Sequence, residues 1–197
     1  MTRPTFAPTA LVVLCLSSGF AQAGVLAIYG GPAFPAGYSN DFLSPGFDVG
    51  ITYDWFLDHA MVGLETGYSS WEGTDKYEAH LGAINNPPLP PVDYWLGGVP
   101  IMFRLKVPLM SGDRTTPYLI GGAGLWRFKD SGYGAIDVHT EPGVQVGAGL
   151  DHSIAKGMGL GVECLYRAIV GYVPLYLRDA GSTQWVTLRV RLLHGGR

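Results

Sequence analysis

Cysteine is scarce in this chain. There are two, Cys15 and Cys164. Cys15 falls in a leader segment described below, so the rest of the chain cannot close an internal disulfide. Cys164 sits on the apolar face of an expected strand and reads as a small hydrophobe. Charge is also thin, at 15% of residues, with a net of −3. No basic stretch interleaved with aromatics is present, so no nucleic-acid partner is expected. Long apolar runs are missing as well. A membrane helix needs about 20 consecutive apolar residues, and nothing after residue 23 approaches that. The five histidines are scattered and never spaced as His-x-x-x-His, so neither a metal site nor any cofactor is expected. Gly121-Gly122-Ala123-Gly124 lacks the Lys-Ser/Thr and the helix of a phosphate loop. It reads as strand glycine.

What the chain does have is glycine, 29 residues of it, aromatics at 12%, and a repeated two-residue alternation. Phe47, Val49, Ile51, Tyr53 and Trp55 share one face of a strand, and Asp48, Gly50, Thr52 and Asp54 share the other. The apolar face is bulky. The polar face carries charges and glycines, which would make a poor protein core. Apolar outside and polar inside is the pattern of a transmembrane β-barrel.

Eight strands are expected. They are about Val25–Phe34, Gly46–Phe56, Met61–Ser70, Tyr94–Val107, Thr116–Phe128, Gly143–Asp151, Met158–Arg167 and Gln184–Leu193. Pro100 interrupts the fourth and should force a bulge. The connections after strands two, four and six are short. Those after one, three, five and seven are longer, with Glu72–Asp93 the longest. Short turns on one side and long loops on the other fit a barrel with both termini in the periplasm. The expected class is therefore all-β, an eight-stranded antiparallel up-and-down transmembrane barrel.

Residues 1–23 read as a cleaved signal peptide. Arg3 gives a positive start, Ala10–Leu16 an apolar run, and Ala21-Gln22-Ala23 a small-x-small site before Gly24. Residues 24–197 then form one barrel domain, exported through the inner membrane, with a net charge of −4 once Arg3 is set aside. Trp55 and Tyr118 at one end of the outward faces, and Tyr68, Trp126, Phe128 and Tyr166 at the other, are expected to form two aromatic girdles. Trp71 and Trp185 take the inward phase if their strands extend that far.

Three stretches carry a family resemblance: Val62-Gly63-Leu64-Glu65-Thr66-Gly67-Tyr68, Pro117-Tyr118-Leu119-Ile120-Gly121-Gly122-Ala123-Gly124-Leu125, and Gly147-Ala148-Gly149-Leu150-Asp151 with its turn. They resemble the small OmpA-like and OmpW-like eight-stranded outer-membrane proteins. The resemblance implies the outer membrane of a Gram-negative bacterium. It implies outer-membrane lipid, lipopolysaccharide and the barrel assembly machinery as partners. Such barrels usually end in an aromatic residue. Here Leu192-Leu193 is followed by His194-Gly195-Gly196-Arg197.

The inward phase collects Glu65, Arg104, Lys106, Gln145, Glu163, Arg167, Arg189 and Arg191. An eight-stranded barrel is only wide enough for its own side chains, and unpaired charges there would be costly. An ion-pair network is expected, with Glu65 and Glu163 facing Arg104, Arg167 and Arg189, plugging the lumen. Asp58-His59 and Asp151-His152-Ser153 are the only hydrolase-like groupings. Both fall in short turns, where Asp and His serve as turn formers. The expected role is non-enzymatic, structural, with surface interactions through the outer loops. The alternatives are a narrow porin-like channel for small or hydrophobic solutes and a soluble exported carrier. The carrier would need an apolar interior. The charge-free Ile169–Leu177 segment is either a strand extension or an exposed apolar surface.

Overall fold

The computed structural model describes residues 24–75, 94–110, 114–132, 135–170 and 183–195. The expected leader, the Asn86–Pro91 proline run and most of Ile169–Leu177 lie outside the described residues.

Eight antiparallel strands close on themselves in sequence order. They are β1 (Gly24–Ala36), β2 (Gly46–Phe56), β3 (Met61–Glu72), β4 (Trp95–Pro108), β5 (Thr115–Gly132), β6 (Ala135–Ala155), β7 (Met158–Ile169) and β8 (Gln184–Gly195). A short 3-10 turn, Gly37–Asp41, follows β1. β1 pairs with β8 from Val25↔Gly195 to Ala36↔Gln184, which closes the cylinder.

The register fixes the barrel's shape. A ladder leaving β1 at Val25 runs through Asp54, Gly63, Arg104, Gly122, Gln145, Arg167 and Trp185. It returns to β1 at Pro35 rather than at Val25. That stagger means strands tilted by roughly 40°. Eight strands at that tilt leave an interior filled by side chains. The β6–β7 turn is two residues, and Gly157 supplies its positive φ of 72°, a conformation that glycine adopts without Cβ strain.

Three expectations are corrected. First, β4 has no bulge at Pro100. Its pairing with β5 is continuous through Pro100↔Trp126, and its ladder with β3 lapses between Thr66↔Ile101 and Ser69↔Gly98 without changing register. A proline without an N–H is accommodated by a two-pair gap in the ladder rather than by an inserted residue. Second, the long loop expected after β5 is mostly strand: β5 and β6 pair as far as Gly132↔Ala135. Third, Tyr118, Trp126 and Phe128 are not girdle residues. All three are fully buried on the inward face of β5. The glycine run from Gly121 to Gly124 had erased the alternation that sets the phase of that strand.

Candidate functional site: the lumen

The outward wall is apolar. Ile101 is 65% exposed and Phe103 58%, while Met102 between them and Arg104 after them are fully buried. Trp55, Tyr68 and Tyr166 lie on this outward face. Trp55 stacks edge-on against Tyr53 at 4.7 Å, and Tyr68 lies 6.0 Å from Phe47. Cys164 is outward and exposed.

The lumen holds two layers. The wider one is ionic. Asp48, Asp54, Glu65, Asp151 and Glu163 meet Arg104, Lys106, Arg167, Arg189 and Arg191, five carboxylates against five cations. Glu65 is central. Its carboxylate lies 3.1 Å from Arg104, 2.7 Å from Arg189, and against Arg167. Tyr29 donates to it at 3.3 Å, as does the Gln145 amide. Glu163 pairs with Arg104 at 2.7 Å and Arg191 at 2.8 Å, with Arg189 at 3.6 Å.

Sequence reasoning thus found the two glutamates and most of their cations. It did not place Asp48, Asp54 and Asp151 in the network, although it had put all three on polar faces. Asp48 accepts from Arg189 Nε at 2.6 Å and from Ser69 at 2.7 Å. Asp54 lies 3.1 Å from Arg104 and 3.2 Å from Arg191. Asp151 pairs with Lys106 and lies 3.3 Å from Arg191. Two tyrosines were also missed. The Tyr118 hydroxyl accepts from Arg191 at 2.9 Å and lies 3.0 Å from Glu163. Arg189 lies over the Tyr29 ring at 3.8 Å, and Lys106 over the Tyr118 ring at the same distance. Tyr29 had no readable phase because Gly30, Gly31 and Pro32 follow it.

The second layer is aromatic and sits at the end away from the chain termini. Trp71, Trp126 and Trp185 are buried with Leu43, Leu96, Met102 and Ile169. Trp185 meets Trp71 edge-on at 5.0 Å and Trp126 at 4.8 Å, the geometry that aromatic quadrupoles favour. Trp126 stacks on Phe128 at 5.6 Å. The two layers join where the Arg167 guanidinium lies 5.1 Å from the Trp126 ring. A Cβ at Gly143 would sit 2.7 Å from that indole, so a glycine there leaves room for the ring.

Chemically, each of these five carboxylates is engaged by at least one cation, which makes these groups counter-ions. The Asp151-His152 pair is split by the strand: Asp151 turns inward to Lys106, while His152 is exposed and 2.8 Å from Thr115. Among the described residues, no cluster of His, Cys, Asp or Glu is arranged to hold a metal ion.

An apolar outer wall, a closed eight-stranded sheet and a charge-filled interior together define a transmembrane β-barrel of the outer-membrane type. The sequence matches the model of the outer membrane protein beta-barrel domain over residues 9–183, and the chain belongs to that family. Among solved structures, Neisserial surface protein A is similar at a TM-score of 0.64 and 14% identity, over 88% of this chain and 97% of that one. The outer membrane protein OprG from Pseudomonas aeruginosa is similar at 0.50 and 15%, over 89% and 98%. At these identities the likeness is one of fold. No curated protein sequence matches the chain.

Proposed function

We propose that this chain is a closed, non-enzymatic barrel of the cell outer membrane with a structural and surface-interaction role. The observation that supports it most is the balance of the lumen. Four buried carboxylates and the part-buried Asp151 face five buried cations across the interior, and the tryptophan layer lies over them. Opening a conduction path would strip these ions of partners inside a lumen filled by side chains. The wall contacts outer-membrane lipid and lipopolysaccharide, and the assembly machinery inserts the barrel. Residues 1–23 direct export and are removed.

The reading has two direct tests. Purified barrel in planar bilayers is expected to give no stepwise conductance. Regular channel openings would instead establish the porin-like alternative. Intact-mass measurement on protein from outer membranes should give a chain beginning at Gly24, and a retained Met1 would rule out the signal peptide.

A further inference from the structure

Nine cations lie among the described residues, and five of them are locked in the lumen. Arg114 and Lys156 belong to the short turns at the terminal end. Arg127 and Lys129 are different. Both are exposed, both point outward from the upper part of β5, and neither has an ion-pair partner among the described residues.

Their height follows from the strand. About ten residues carry a tilted strand across the hydrocarbon layer. Counted from Thr116 at the turn end, Leu125 is the last outward residue inside it. Arg127 and Lys129 then fall at headgroup level. Below them the outward surface is Val99, Ile101, Leu125 and Val144, all exposed. Beside them lie an exposed hydroxyl, Thr140, paired in register with Arg127, and the Trp95 ring, 6.0 Å from the Lys129 ammonium. Glu72, on the outward phase of β3, pairs with Trp95 rather than with the strand that carries the cations.

We propose that this patch on β4, β5 and β6 binds the phosphorylated headgroup of an outer-leaflet glycolipid. Arg127 and Lys129 hold the phosphate, Thr140 donates to it, and the acyl chains lie on the apolar strip beneath. Guanidinium and ammonium groups favour phosphate oxygens, and the apolar strip selects a lipid over a free phosphate. The proposal rests on the outer-membrane reading above and names its lipid partner.

The test uses the full-length exported barrel, refolded in detergent and titrated with purified lipopolysaccharide. Arg127→Ala with Lys129→Ala is expected to weaken binding about fivefold for each cation removed. Arg127→Lys with Lys129→Arg should restore it. Dephosphorylated lipopolysaccharide should bind wild type as weakly as intact lipopolysaccharide binds the double variant. Unchanged binding by the double variant overturns the proposal. So does equal affinity for dephosphorylated lipopolysaccharide, or for phosphatidylglycerol vesicles. Heat-dependent gel mobility, read on the same samples, separates this from failure of the barrel reading. If wild type shows no cold, fast-migrating form, the outer-membrane reading is what fails.

Discussion

Glu65→Gln is expected to lower the unfolding free energy of the barrel by about 3–5 kcal/mol, the range for removing one partner of a buried ion pair. The substitution keeps the side chain's volume and removes its charge. Arg104, Arg167 and Arg189 all use this carboxylate, so three guanidiniums lose a counter-ion in one step and the lumen becomes net positive. The urea midpoint in detergent micelles, followed by tryptophan fluorescence, reads the effect. A midpoint within about 0.5 kcal/mol of wild type, the size of an ordinary surface change, would show that the network does not hold the barrel. Adding Arg189→Met to Glu65→Gln restores the charge balance and should recover part of the loss, because the two sites are in direct contact.

Trp185→Ala is expected to cost about 3–5 kcal/mol by a different route, the cavity left by a buried aromatic. Trp185 is the middle ring of the cap, in edge contact with both Trp71 and Trp126. Its loss removes both pair interactions and leaves a void that the rigid strands cannot collapse. Warming in SDS before electrophoresis should convert the variant to the slow-migrating form at a lower temperature than wild type. An unchanged conversion temperature would mean that the cap does not contribute to stability. In contrast to Glu65→Gln, the variant leaves the charge balance untouched, so the two layers are separable by experiment.

Strand phase explains what the sequence made legible. β2, β3, β4, β7 and β8 alternate large apolar residues with charges, so their inward residues could be read directly. Arg104, Glu163, Arg167 and Arg189 were found that way. β5 could not be phased because Gly121, Gly122 and Gly124 carry no side chain to mark a face. Tyr118 and Trp126 then looked like interfacial aromatics, since alternation does not distinguish a lipid-facing ring from one in the lumen. The outer half of β6 alternates only briefly, at Ile136 and Val138, before Thr140-Glu141-Pro142 breaks the pattern, and its pairing with β5 supplies what the local sequence lacks. Which carboxylate meets which cation depends on the stagger around the cylinder, and no single strand encodes that.

The span of the ion pairs bears on assembly. Arg189 on β8 meets Asp48 on β2 and Glu65 on β3, and Arg191 on β8 meets Asp54 on β2. Lys106 on β4 reaches Asp151 on β6. Neighbouring strands are joined only by Glu65 with Arg104 and by Glu163 with Arg189 and Arg191; the other ion pairs among the described residues skip at least one strand. A sheet of a few strands inserted alone would carry bare charges on a face open to hydrocarbon, as well as an unpaired backbone edge. Strand-by-strand entry into lipid is thus uphill until β8 arrives, and the closing seam with β1 satisfies the last edge and the last cations together. The lumen works as a closure sensor: only the complete cylinder is electrically quiet enough to remain in the membrane.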